Sequence, residues 1–206
     1  MSSRLSMDET SLPLLPPVAP GRQRAVASAL SEPFAVAEAD SIRLRTVQGG
    51  GGLSLCVAEA GNPQGPPLLF IHGFSQSYLC WRRQLASELG VGFHLVAMDL
   101  RGHGQSEKPE GVYSEGLPWA EDLHAVISAL RLERPVLVGW SYGALVVTDY
   151  LRHYGTRQVA GVHFVGALTR MGTSEAASLY GPEFQRLLPG FFSHDADSSM
   201  ATLGAF

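Results

Sequence analysis

The sequence predicts an α/β fold with a mostly parallel sheet flanked by helices. Two patterns in the chain indicate this fold. Four short, nearly continuous apolar runs have the length and composition of strands that are buried on both faces of a sheet. Segments of helical length separate these runs, which is the alternation typical of βαβ units. The apolar runs are Leu68–Ile71, His94–Met98, Pro135–Gly139 and Ala160–Val165.

Residues 1–33 differ from the rest of the chain, because proline and serine interrupt them and they show little periodicity. We expect a disordered leader here. The apolar stretch Leu12–Pro20 follows Arg4, but it contains four prolines. Asp8 and Glu9 also lie where a signal peptide carries positive charge. A targeting role for this leader stays open as an alternative.

The regular pattern begins with an expected β-hairpin. Polar and apolar residues alternate over Ser41–Gln48, which predicts a half-exposed strand. Gly49–Gly52 is a turn signal, and Leu53–Ala60 is the second predicted strand. Further along the chain, apolar periodicity predicts helices over Gln76–Leu89, Pro118–Leu130 and Tyr142–Tyr154.

The pattern changes after Val165. Residues 166–206 contain two helical stretches, Ser174–Leu179 and Glu183–Leu188, and no convincing strand. We therefore expect an α/β region over residues 34–165 followed by a separate helical region.

Composition excludes several classes of function. The net charge is −4 and no cluster of lysine and arginine occurs, so nucleic acid is not an expected partner. No run approaches the roughly 20 apolar residues that cross a bilayer. The two cysteines, Cys56 and Cys80, suit neither a disulfide framework nor a zinc site. We expect a cytoplasmic protein with reduced thiols and no metal or other cofactor.

The strongest motif is Gly139-Trp-Ser141-Tyr-Gly143, which directly follows a predicted buried strand and opens a predicted helix. A turn this sharp needs residues without side chains two positions before and two positions after the serine. The serine then projects from the sheet at a helix N-terminus, where developing negative charge is stabilised. We predict that Ser141 is a catalytic nucleophile.

A second motif, His72-Gly73-Phe74, ends the strand Leu68–Ile71. Acyl transfer needs two hydrogen-bond donors aimed at the developing oxyanion. In this topology they are the backbone N–H after the nucleophile and one from the loop after the earlier strand. We therefore predict Tyr142 and Phe74 as the oxyanion-hole residues. For His72 we favour a structural hydrogen bond within the loop over a catalytic role.

A third motif, Asp99-Leu-Arg-Gly-His-Gly-Gln-Ser106, follows the strand His94–Met98. The three motifs, in this order and each after a buried strand, make residues 34–165 resemble the α/β-hydrolase family. The similarity is to its branch of serine-nucleophile esterases and cofactor-free haloperoxidase-like enzymes. It implies an α/β-hydrolase fold with about six of eight strands present, and the start of a helical cap over residues 166–206.

The resemblance also implies roles for individual residues. The third motif is mainly scaffold in this family: Asp99 and Arg101 brace turns, and Gly102 and Gly104 let the loop pass under the site. A direct catalytic role for Asp99 or His103 is the less favoured alternative. Related epoxide hydrolases and haloalkane dehalogenases carry a carboxylate nucleophile, so Ser141 disfavours those two chemistries.

A serine nucleophile needs a histidine base and an orienting carboxylate. In this family the carboxylate follows the seventh strand and the histidine follows the eighth. The position just after the sixth strand, residues 167–170, holds no carboxylate. His153 falls in a helix, His163 in an apparently buried strand and His194 in the cap. We therefore expect the base and the acid beyond residue 206, which makes the chain a truncated hydrolase whose last strand is an open edge.

The predicted function is hydrolysis of an ester or a related acyl bond through an acyl-serine intermediate. Trp140, Tyr142 and Phe74 form an aromatic surround that favours a small apolar ester as substrate, although these rings also suit a packed core. A perhydrolase or haloperoxidase-like activity uses the same residues and stays open. So does a catalytically incompetent protein with the same fold.

Overall fold

The computed structural model describes residues 42–111 and 113–205. The expected leader, residues 1–33, lies outside the described residues. Within them the chain forms a six-stranded sheet with helices on both faces. The strands are β1 (Arg43–Gln48), β2 (Ser54–Gly61), β3 (Pro67–Ile71), β4 (His94–Met98), β5 (Val136–Trp140) and β6 (Gly161–Val165). The helices are α1 (Arg82–Leu85), α2 (Leu89–Gly92), α3 (Gly116–Ala129), α4 (Gly143–Tyr154), α5 (Ser174–Ser178), α6 (Pro182–Phe191) and α7 (Ala196–Ala205).

The sheet has the order β1-β2-β4-β3-β5-β6. Strands β1 and β2 form the predicted antiparallel hairpin, and β2 also runs antiparallel to β4. Strands β4, β3, β5 and β6 run parallel to one another. The carboxyl ends of β3, β4 and β5 therefore meet at one edge of the sheet, which brings the three sequence motifs together.

Two hydrophobic clusters cover the two faces of the sheet. On one face, Leu69 and Ile71 of β3 pack with Leu123 and Val147 from α3 and α4. On the opposite face, Phe70 packs in the cluster that contains Trp81. Successive strand residues thus enter different clusters, which is why β3 to β5 read as continuous apolar runs.

The helix expected over Gln76–Leu89 is wrong as a single element. The chain forms a 3-10 turn over Tyr78–Trp81 and then the short helices α1 and α2. The physical reason is a close backbone approach, because a Cβ on Gly61 would lie 2.7 Å from the Cα of Gly90 in α2. The segment packs closely against the end of β2 at Gly61, and a straight four-turn helix does not fit there. The helix α7 was not predicted.

Strand β6 is present as predicted, but its burial is not. Its side chains from Val162 to Val165 are exposed, His163 among them. The reason is its position, since β6 pairs with β5 on one side and no strand of the described residues pairs with its other edge. The open, apolar edge itself agrees with the expectation from the sequence.

None of the helices in residues 42–111 and 113–205 combines the length and the apolar character that a bilayer span requires.

Candidate active site

Ser141 lies in the turn between β5 and α4 with φ = 51°, in the left-handed region that a serine rarely adopts. The flanking glycines explain how this turn packs. A Cβ on Gly143 would collide with the carbonyl oxygens of Ile71 and His72, and one on Gly139 would lie 3.0 Å from the Cα of Ala144. The steric requirement inferred from the motif is therefore present, and the Ser141 side chain is partly exposed.

The loop after β3 lies against this turn. A Cβ on Gly73 would lie 3.3 Å from the Cβ of Ser141, so the two loops are in van der Waals contact. The next residue, Phe74, places its ring centroid 6.4 Å from that of Tyr142, edge to face. The structure thus brings Ser141, Phe74 and Tyr142 together. The nucleophile and oxyanion-hole roles of these residues stay predictions.

His72 is fully buried beneath this loop. Its Nδ1 donates to the carbonyl of Gly73 at 2.8 Å, and its Nε2 accepts from the backbone N–H of Leu100 at 3.0 Å. Both ring nitrogens are used, which fits a neutral imidazole that joins two loops. Burial lowers the pKa of His72 to about 4, opposed by the hydrogen bond to Gly73 and reinforced by nearby His103. These contacts agree with the structural role that we favoured.

Asp99 is also buried, and its carboxylate ties together the loops around the site. One oxygen accepts from the N–H of Tyr78 at 2.6 Å, and the other accepts from the N–H of Gln105 at 2.7 Å. Gly104, with φ = 50°, packs directly on the carboxylate, where a side chain would collide. The hydroxyl of Ser106 donates to the Asp99 carbonyl at 2.7 Å. This arrangement is the scaffold that the family resemblance implied.

Arg101 braces the same loop through a partner that the sequence analysis missed. Its guanidinium binds the carboxylate of Asp122 in α3 through two hydrogen bonds, of 2.6 and 2.8 Å. Both side chains are buried, and Asp122 also accepts from the N–H of Gly50 at 2.8 Å. A lone aspartate between Trp119 and Leu123 on the apolar face of a helix was the available signal, because a buried carboxylate needs a partner.

A cleft of about 610 Å³ opens beside these loops. Aromatic rings make up much of its wall, and two carboxylates also line it. Trp140 is not part of this wall, because it packs against the second hydrophobic cluster. The lining residues are Phe74, Gly102, His103, Tyr113, Ser114, Glu115, Gly116, Trp119, Tyr142, Leu145, Val146, Asp149, Met171 and Phe192.

His103 is the only histidine among the described residues that line the cleft. Its Nδ1 donates to the carbonyl of Arg101 at 2.9 Å, which fixes the ring within the loop. His153, His163 and His194 are all exposed and outside this wall. The described residues contain no group of three or more His, Cys, Asp or Glu side chains that could hold a metal ion. Cys56 and Cys80 are both free thiols.

Known proteins share this fold. A family model for the alpha/beta hydrolase fold matches residues 66–206. The crystal structure of the esterase RhEst1 from Rhodococcus sp. ECU1013 is similar with a TM-score of 0.74 and 40% identity, over 79% of this chain and 60% of that chain. A bromoperoxidase from Bacillus anthracis gives a TM-score of 0.56 and 29% identity, over 61% of this chain and 45% of that one.

A third relative is an epoxide hydrolase. Epoxide hydrolase A of Mycobacterium tuberculosis is 36% identical over 97 residues, which are 47% of this chain and 30% of that protein. The chain thus spans less than two thirds of the length of each of these three proteins. The family match, by contrast, covers more than half of this chain and includes all three motifs. The chain therefore belongs to the α/β-hydrolase fold family.

Proposed function

We propose that the protein hydrolyses esters or related acyl bonds through a covalent intermediate on Ser141. The observation that carries this proposal is the left-handed backbone of a serine between β5 and α4, packed too tightly for side chains at Gly139 and Gly143. In the reaction, Ser141 Oγ bonds to the carbonyl carbon while a base takes its proton. The alcohol leaves with a proton, and water then releases the acid.

The backbone N–H groups of Phe74 and Tyr142 are the proposed oxyanion donors. Support comes from the contact of the Gly73 loop with Ser141 and from the start of α4 at Gly143, where the helix dipole favours negative charge. The aromatic wall of the cleft supports a small-molecule substrate with an apolar body, whose burial against rings is favourable.

Two alternatives have an observation in their favour. The similarity to a bromoperoxidase favours a haloperoxidase-like or perhydrolase activity at the same serine. The positions of the histidines favour a catalytically incompetent protein, because none of them is placed to act as a base for Ser141. Among the described residues, the carbonyl of Arg101 holds His103, and the histidines after Ser141 are exposed and outside the cleft. Activation of Ser141 separates the incompetent protein from both enzymes, since only an enzyme needs a reactive hydroxyl.

Labelling with a fluorophosphonate tests the proposal, because this reagent forms a covalent bond only with an activated serine. We expect labelling of the wild-type protein when the predicted histidine base and carboxylate are present, and its complete loss in Ser141→Ala, read by intact-protein mass spectrometry. Ser114→Ala is the matched control, since Ser114 is an exposed serine that lines the neighbouring cleft and its loss should leave labelling unchanged. A folded wild-type protein that contains the predicted base and takes up no label contradicts the enzyme hypothesis.

A further inference from the structure

The cleft that Phe74 and Tyr142 line, next to Ser141, presents acidic side chains. Among its described lining residues are the carboxylates of Glu115 and Asp149, and there is neither lysine nor arginine. A narrow cleft with walls of low polarity focuses such a charge, so anionic ligands are repelled and cationic ones are attracted. The acidic lining therefore indicates the charge of the ligand, whereas the apolar rings indicate only that the ligand has an apolar part.

Asp149 contributes most to this charge because it is the better shielded of the two carboxylates. It lies on α4, its side chain is 19% exposed, and it packs against the start of α3. A Cβ on Gly116 would lie 2.6 Å from its carboxylate carbon, so the absence of a side chain there admits the carboxylate.

The two oxygens of Asp149 differ in their contacts. Oδ1 accepts a hydrogen bond from Arg152, whose side chain is 63% exposed and well screened by solvent. For Oδ2 the described residues provide no hydrogen-bond donor. One oxygen of a partly buried carboxylate is thus available to a cationic partner at the cleft.

The rings beside Asp149 stand at steep angles to one another. The centroids of Trp119 and Tyr142 are 5.5 Å apart with planes at 72°, and those of Tyr113 and Trp119 are 6.0 Å apart at 49°. All three rings line the cleft, and the face of an aromatic ring attracts a cation through its quadrupole. Trp119 already has one such contact, because the Arg101 guanidinium carbon lies 6.0 Å from its ring centroid.

We propose that this cleft binds the cationic end of an ester, a quaternary or protonated amine, between the rings of Tyr113, Trp119 and Tyr142 and the carboxylate of Asp149. This inference rests on the proposed function, because it assigns the substrate class of the same site. The aromatic wall receives the apolar body of the ester, and Glu115 at the rim adds a second, more screened attraction.

Equilibrium binding of two isosteric probes tests the inference without requiring turnover. Choline and 3,3-dimethylbutan-1-ol have nearly the same shape, but only choline is charged. We expect choline to bind the full chain about tenfold more tightly by isothermal titration calorimetry, as a partly desolvated cation–π site predicts. The choline affinity should fall as sodium chloride is raised, whereas the affinity for the alcohol should not.

Matched variants assign the preference to the carboxylates. Asp149→Asn should remove most of the difference between the two probes. Glu115→Gln should reduce it about twofold to threefold, because that carboxylate is exposed and screened. Glu115→Gln also keeps the test valid if Asp149→Asn fails to fold, since the Glu115 side chain makes no capping hydrogen bond. Glu88→Gln, an exposed carboxylate outside the cleft, is the control and should change nothing.

Equal affinities for the two probes, or no binding of either one at millimolar concentration, overturn the inference. An undiminished choline preference in both carboxylate variants overturns it as well. Choline binding does not require the hydroxyl of Ser141. A retained choline preference in a protein that contains the predicted base and that fluorophosphonate does not label therefore overturns the proposed function and leaves the cationic site standing.

Discussion

The loops around Ser141 and the helical region over residues 166–205, which is the predicted cap, are held in different ways. In the loops, Asp99 and Arg101 are buried together with Asp122 of α3, and each of the three takes part in several hydrogen bonds. In the cap, most side chains are exposed, and Leu187 is among the few that are buried. The loops are thus held by buried hydrogen bonds, and the loss of one partner leaves a buried polar group unpaired. The cap is held by contacts at the surface.

The cap meets the loops through aromatic rings. The ring centroid of Phe74 lies 5.3 Å from that of Phe191 and 6.2 Å from that of Phe192. Phe74 therefore joins the loop next to Ser141 to the end of α6. Substitutions in the loops should therefore lower the free energy of unfolding. Substitutions in the cap should change binding in the cleft and have little effect on the free energy of unfolding.

The largest expected effect is on the ion pair between Arg101 and Asp122. Asp122→Ala should lower the free energy of unfolding by about 3–5 kcal/mol, because it leaves a buried guanidinium without its carboxylate. Denaturant unfolding followed by circular dichroism measures this loss. The matched control is Glu183→Ala, which breaks the exposed pair with Arg186 in the cap and should cost about 0–1 kcal/mol. Similar losses in the two variants would remove the distinction between loops and cap.

His72 provides the next largest effect, through pH. Its pKa is lowered from 6.5 to about 4 in the folded protein, mainly by burial. Between pH 6.5 and about pH 4, His72 is therefore protonated in the unfolded chain but neutral in the folded protein. The stabilisation by neutral His72 is complete above pH 6.5 and is lost as the pH falls toward 4. Its size is about 3 kcal/mol, at 1.36 kcal/mol for each pKa unit.

Unfolding free energies measured at neutral and acidic pH check this prediction. Between pH 7 and about pH 4, the wild-type protein should lose about 3 kcal/mol more than His72→Gln, which lacks the titrating group. His153→Gln removes an exposed histidine from α4 and should retain the wild-type pH dependence. An unchanged pH dependence in His72→Gln would show that other groups dominate acid unfolding.

The smallest effect on stability is expected in the cap. Phe192 is 66% exposed, so Phe192→Ala should change the free energy of unfolding by less than about 1 kcal/mol. Because Phe192 lines the cleft, the same variant should weaken binding of 3,3-dimethylbutan-1-ol measurably. Phe164→Ala, in the exposed part of β6, is the control for a lost surface ring and should leave that binding unchanged. A large loss of stability in Phe192→Ala would mean that the cap takes part in the folding core.

The sequence predicts the central strands to within a residue, because burial on both faces leaves an unambiguous apolar run. It also locates the turn at Ser141, because glycine spacing records a steric limit that is local to that turn. The ion pair between Arg101 and Asp122 was not predicted, because the two residues are 21 positions apart and only the fold brings them together.

Other parts of the structure escaped for the same physical reason. The break between α1 and α2 follows from the approach of Gly90 to Gly61, a tertiary contact that local periodicity does not record. The exposure of β6 depends on its neighbours in the sheet rather than on its own composition. The position of Asp149 beside Gly116 likewise appears only when α3 and α4 pack together. Charge in the cleft is therefore a property of the fold.

The left-handed backbone at Ser141 also limits which side chains can occupy the position of the proposed nucleophile. At φ = 51° a β-branched side chain is strongly disfavoured, so threonine is excluded although its hydroxyl is chemically equivalent. Unbranched cysteine fits the same backbone more readily, and aspartate is among the residues that tolerate it best. The backbone of the turn thus limits, by shape alone, which side chain can stand at the position of the proposed nucleophile.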